Sequence, residues 1–214
     1  MVMSVKEQTS PHLEEWIQRI SVEEMPIMYR TALDIASLAS DDGAPSTPLL
    51  NAILKEPGLT ARVLSLANSA FYKAGSPALS TVSRAVVVLG SNSVRSICLS
   101  VTLVDSLLQG LSRERLLKEL AESFHAAVVA RRIATEKGDE SPEEVFVAAL
   151  LFRLGEMSFW CFGGGMREVY EKRLEENSPT TREIERELLD FTLRDLSVGL
   201  AERRKLGALL FQSP

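Results

Sequence analysis

Apolar positions recur every three to four residues along most of the chain, the period of a helix with one buried face. In SPHLEEWIQRI, Trp16 and Ile20 are four apart and share a face. Ser10 stands as the N-cap and Pro11 at the first helical position, while Glu14 and Glu15 suit the positive end of the helix dipole. The same signals predict a helix over 26–39, stopped by SDDGAPS, and another that opens at Thr47-Pro48 and ends before Pro57. Pro57 opens a further helix with Leu59, Val63, Leu66, Ala67 and Ala70 on one face. Ser80 or Thr81 caps a short helix through Val88, Gly90 and Ser91 punctuate, and a long apolar helix follows over 93–108.

Ser112 is expected to cap a helix that runs to Lys137 and is closed by Gly138. Ser141-Pro142-Glu143-Glu144 reads as a cap, a proline and two acids, and it starts the helix that carries AALLFRLGEM, Ala148 to Met157. The glycines of FGGG interrupt the pattern. Three more helices are expected over 166–176, 181–189 and 193–205. No segment alternates persuasively like a strand. The fold class is therefore all-α, a bundle of about ten helices in two packed lobes. Residues 1–24 form an N-terminal helical extension, and Gly110 divides the remaining domain, 25–214, into lobes of about 25–110 and 111–214.

A chain of 214 residues buries roughly 70% of its unfolded surface, so this fold requires neither metal nor disulfide. The formal net charge of −5 supplies no general attraction to nucleic acid or anionic lipid. The basic clusters Arg131-Arg132 and Arg203-Arg204-Lys205 have acidic neighbours and read as solvated helix faces. Cys98 and Cys161, the two cysteines, lie in apolar surroundings and read as buried thiols of a reducing compartment. MVMSVKEQTS lacks the apolar core of a signal peptide. Gly90, Asn92, Arg95 and Asp105 break the apolar region Ala85 to Leu108, so no membrane span is expected, and a cytoplasmic location is.

Histidine is scarce, with only His12 and His125, which removes most zinc chemistry and any triad that needs a positioned imidazole. His125, alone on a partly apolar helix, reads as a hydrogen-bonded core histidine rather than a ligand. FGGGM lacks the Lys-Ser/Thr and the preceding strand of a phosphate loop. The residue without an ordinary explanation is Arg153, set in the apolar run of AALLFRLGEM. A buried charge needs a partner. The alternative is a solvated Arg153, or one paired only with Glu156, three residues on.

Three stretches, in this order and spacing, are more specific: ILKEPGLTARVLSLANSAFY, STVSRAVVVLGSNSVRSICLSVTL and FHAAVVARRIATEKGDESPEEVFVAALLFRLGEM. Through Pro57, Leu59, the pair Asn68-Ser69, Leu89-Gly90, His125 and Gly155 among others, they resemble the HDOD domain, a degenerate relative of the HD metal phosphohydrolases, from about Met25 onward. Glu56 departs from the aspartate that usually precedes the proline. The resemblance places His125 where those enzymes have their early histidine ligand, Phe152-Arg153 where they have the His-Asp doublet, and Asp195 or Asp190 at the last aspartate. Phenylalanine offers no lone pair and arginine cannot ligate; the resemblance instead implies that Arg153 takes over the lost ion's electrostatic role by pairing with carboxylates left near the old pocket, Glu122, Asp190 or Asp195. One unit charge about 4 Å from another of like sign costs about 4 kcal/mol at an effective dielectric near 20, so no metal, no cofactor and no catalysis are expected.

The resemblance implies a non-catalytic signal-transduction domain that acts through protein–protein interaction. Its partners would be signalling proteins of the two-component or cyclic-dinucleotide kind, not nucleic acid or membranes. The alternative is a metal-free sensor that binds a nucleotide or another anion through Arg153 and His125; a metal-dependent phosphohydrolase is more remote. Asn68 and Ser69 either belong to an interaction surface or are structural, with Asn68 capping its own helix before AFYKAG.

Overall fold

The computed structural model describes residues 11–21, 23, 31, 46–70, 78–90, 93–94, 110–176 and 179–206. Among them, ten helical segments follow one another and no strand occurs: α1 (Pro11–Ser21), α2 (Ser46–Leu54), α3 (Pro57–Ala70), α4 (Val82–Leu89), α5 (Gly110–Glu136), α6 (Pro142–Leu151), α7 (Leu154–Phe162), α8 (Met166–Leu174), α9 (Thr181–Leu189) and α10 (Leu193–Arg203). Only Phe152 and Arg153 separate α6 from α7. The helices expected over 26–39 and 93–108 fall almost wholly outside the described residues, as do Ser10 and Cys98.

Most helix ends follow from local chemistry. Thr81 Oγ1 accepts from Arg84 N at the start of α4, and Gly90, at φ 80°, ends it. Thr180 with Glu183, and Thr192 with Asp195, form complete capping boxes on α9 and α10. Ser141 departs from expectation, because its side chain makes no cap bond. The acid two residues on reaches another helix instead. Glu143 accepts from Ser83 N at 3.0 Å and Ser83 Oγ at 2.6 Å, tying the start of α6 to the start of α4.

Leu59, Val63 and Ala67 are fully buried on α3 as their spacing predicts, but Leu66 is half-exposed. Helices α2, α3 and α4 pack together, and α3 reaches α6. Helix α5 lies along α6 and α7, α7 against α10, and α10 against α1. One contiguous core runs through both halves, from Ile53, Leu59 and Leu64 to Phe146, Leu150, Phe159 and Leu196. Helix α1 is built into the C-terminal half. Trp16 stacks on Phe159 at 5.8 Å and meets Phe191 edge-on at 5.9 Å. A Cβ on Gly199 would lie 2.1 Å from Ile17 Cδ1, so glycine leaves the room in which α1 seats. Arg204 Nη2 donates to the carbonyls of Ile20 at 3.2 Å and Glu23 at 2.7 Å, holding the end of α1.

The stretch Pro142–Phe162 is long and apolar enough to cross a membrane by length and composition, yet 61% of its apolar window is buried inside the protein. Contacts with α5 and α10 account for that apolarity. Cys161 is buried, and desolvation pushes its thiol up to about 12, against a weaker opposing influence of Arg167. The thiolate is the reactive form, so this cysteine is inert near neutral pH.

Candidate functional site

The break between α6 and α7 positions the site. Phe152 N donates to Ala149 O, three residues back, at 3.4 Å, and Arg153 takes φ −101° and ψ 30° before α7 resumes. The turn is held against α10 at very short range. A Cβ on Gly155 would sit 2.1 Å from Leu193 O and 2.7 Å from Ser197 N, so any larger residue would push the two backbones apart. Gly155 N donates to Ser197 Oγ at 2.8 Å across the same contact. The start of α10 is fixed in turn by buried Glu185, which accepts from Leu193 N at 3.0 Å and from the Tyr170 hydroxyl at 3.1 Å. Burial is the main cause that raises the Glu185 pKa, and these two hydrogen bonds oppose it.

From this turn Arg153 reaches across to α5. Its Nη1 donates to Glu122 Oε2 at 2.6 Å, and its Nη2 donates to Glu119 Oε1 at 3.1 Å. The same Nη2 lies 2.9 Å from Glu119 Oε2, an ion-pair contact without hydrogen-bond alignment, and Nε lies 3.6 Å from Glu156 Oε1. One guanidinium thus faces three carboxylates. Glu119 is the deepest of them, its side chain 11% exposed against 46% for Glu122. Desolvation pushes the Glu119 pKa up to about 6; Arg153 opposes the rise, and the charges of Glu156 and Glu122 add to it.

Of the expected partners of Arg153, the structure supplies Glu122. Asp195 Oδ2 is taken up by its capping box, accepting from Thr192 N at 2.8 Å and Thr192 Oγ1 at 2.7 Å. Asp190 ends α9 at φ 68° and lies 3.8 Å from His12 Nδ1. Glu119 is the partner that sequence reasoning missed. A signal existed: Leu116, Leu120, Ser123 and Ala127 form the buried stripe of α5, and Glu119 interrupts it with a charge. Glu156, three residues on, also pairs with Arg153, so the local alternative is realised alongside the long-range one.

His125 is exposed on α5, not the core histidine its setting suggests, because the buried stripe passes through Ser123 and Ala127 on either side of it. Phe152 is 48% exposed and carries the Arg194 guanidinium 3.8 Å from its ring centroid; Arg194 Nη1 also donates to Phe152 O at 3.0 Å. Asn68 is buried and acts over a long range rather than as a cap on its own helix. Its Nδ2 donates to Leu79 O at 3.0 Å and Lys205 O at 2.6 Å, and its Oδ1 accepts from Leu79 N at 2.7 Å. It thereby fastens α3 to the far end of α10. Ser69 beside it is exposed.

These donors do not fit the divalent ion of an HD phosphohydrolase. The positions that the resemblance assigns to the doublet, Phe152 and Arg153, offer a phenyl ring and a cation, His125 faces solvent, and Asp195 is engaged in a helix cap. Among the described residues no cluster of three or more His, Cys, Asp or Glu could hold a metal.

No curated protein matches the chain in sequence. Among solved structures it is similar to the MmoQ response regulator of Methylococcus capsulatus str. Bath, at 24% identity over 85% of this chain and 69% of that one, with a TM-score of 0.68. It is also similar to a virulence factor of Campylobacter jejuni subsp. jejuni, at 22% identity over 94% of this chain and 71% of that one, with a TM-score of 0.73. At such identities the likeness concerns the fold. The HDOD domain itself matches residues 25–213, which spans every helix from α2 to α10 and the turn that carries Arg153, and on that match the chain belongs to the HDOD domain family.

Proposed function

We propose that this HDOD domain is a non-catalytic regulatory module of signal transduction, cytoplasmic, that works by docking to other signalling proteins of the two-component or cyclic-dinucleotide kind. The observation that carries the non-catalytic part is the guanidinium of Arg153 held by Glu119, Glu122 and Glu156. On the alignment that the resemblance implies, this fixed cation takes the place of a hydrolase's metal, and the surrounding carboxylates are engaged in balancing it. The fold shared with a protein described as a response regulator agrees with the signalling part.

The reading in which Arg153 and His125 capture an anion is less well supported. Three carboxylates repel an incoming anion from Arg153, and His125 is exposed on the adjacent helix. The test is elemental analysis of the purified protein, expressed with manganese, iron and zinc, together with a phosphodiesterase assay. Metal far below stoichiometric and no hydrolysis above blank are expected. Near-stoichiometric metal with turnover would replace this reading by a phosphohydrolase. Cross-linking in cells tests the docking part, and a set of partners without any signalling protein counts against it.

A further inference from the structure

A second arginine has the opposite surroundings. A cleft of about 240 Å³ opens between α2 on one side and α5 and α6 on the other, lined by Asn51, Leu54, Lys55, Phe124, Arg131 and Phe146. It lies on the seam between the two halves of the fold, a favoured place for ligand sites. Among the described residues the lining contains two cations, one amide and no carboxylate, in a chain whose net charge is −5. Arg131 lies with its guanidinium 4.9 Å from the centroid of the buried Phe146 ring, and Phe124 meets the same ring edge-on at 6.1 Å. Stacking occupies one face of the guanidinium and none of its in-plane N–H donors. Neither Arg131 nor Lys55 has an ion-pair partner among the described residues, whereas the adjacent Arg132 is paired with Glu136 at 2.9 Å.

We propose that this seam cleft binds a small organic phosphate of mononucleotide size, with its phosphate on Arg131 and Lys55 and its organic body against Leu54 and Phe124. The planar fork of Arg131 suits two phosphate oxygens, and Lys55 supplies a second point charge from the opposite wall. Asn51 is the one uncharged polar side chain among the described lining residues and serves the polar edge of the ligand. Apolar Leu54 and Phe124 distinguish such a ligand from inorganic phosphate, which gains nothing from them. Because α2 contributes one wall and α5 and α6 the other, the ligand bridges the two halves. The site is distinct from the Arg153 centre and does not depend on the docking function.

Isothermal titration of the intact chain with AMP and GMP, and with adenosine, guanosine and inorganic phosphate as controls, tests it. Saturable binding of at least one mononucleotide is expected, weaker or absent for its nucleoside and for phosphate. Arg131→Ala and Lys55→Ala, both at exposed side chains, should each weaken that binding by at least roughly tenfold while lowering the melting temperature by no more than a few degrees. No saturable heat from either mononucleotide would overturn the proposal. So would phosphate binding as tightly as the mononucleotide, or binding that survives the double variant. Binding abolished by Arg153→Ala but not by Arg131→Ala would also overturn it, assigning the ligand to the Arg153 centre.

Discussion

Arg153 and Arg131 lie at opposite ends of the α5–α6 pairing and have been given opposite tasks. Arg153 directs its N–H groups at Glu119, Glu122 and Glu156. Arg131 leans on Phe146 and meets no carboxylate among the described residues. The difference lies in which neighbours arrive from other helices, since both residues carry the same charge. An arginine surrounded by acids is a structural counterion with little attraction left for an anion. An arginine held by an aromatic face keeps its donors for a ligand.

The harshest way to break the Arg153 side of the comparison is Gly155→Ala. The new methyl would meet the backbone of α10 at Leu193 and Ser197, which no rotamer change relieves. A loss of about 3 kcal/mol is expected, read as a lower urea midpoint. An unchanged midpoint would mean that α7 and α10 are not in this contact.

Arg153→Ala comes next and should depend on pH. The variant leaves Glu119 buried without its counterion, at about 2 kcal/mol near pH 7.5, below the cost of breaking a fully buried pair because Arg153 is partly solvated. Glu119 already has a folded pKa of about 6 against its ordinary 4.5. The folded state therefore binds the proton more readily than the unfolded one. The Glu119 contribution is most favourable below 4.5 and is lost as pH rises through about 6, a change of about 2 kcal/mol. Glu119→Gln should remove that part of the slope, and removing Arg153 should steepen it. A series of urea melts across this range checks both, and identical slopes in all three proteins would sink the assignment.

The smallest effect sharpens the contrast. Arg131→Ala should cost less than about 1 kcal/mol, the scale of an exposed cation–π contact, and show no dependence on pH linked to Glu119. A loss as large as that of Arg153→Ala would show Arg131 to be a structural counterion as well.

Much of the fold was legible. The proline starts of α2, α3 and α6, the Thr81 cap and the Gly90 stop are local events, decided by groups within one turn of each other. Arg153 was legible as an anomaly, a cation in an apolar run, and Glu122 as one of its partners. Ser141 and Asn68 show where local reasoning stops. Both residue types suit a helix end, yet Ser141 makes no side-chain cap, and Asn68 spends its amide on Leu79 and on Lys205 at the far end of the domain. His125 and Leu66 were assigned to buried faces by rules that count apolar neighbours along the chain, and the approach of the other helices left them outside.

The sequence by itself determined the helical class, most element boundaries and the setting of a permanent cation, Arg153, in an apolar run. These depend on backbone preferences within a few residues and on the donor chemistry of single side chains. Only the tertiary structure decided that Glu119 completes the cage around Arg153, that Gly155 is required by the backbone of α10, and that Arg131 faces Lys55 across a seam. Periodicity tells which face of a helix turns inward, but the identity of the residue that meets it there depends on how separate helices cross, and that is set by packing the whole core at once.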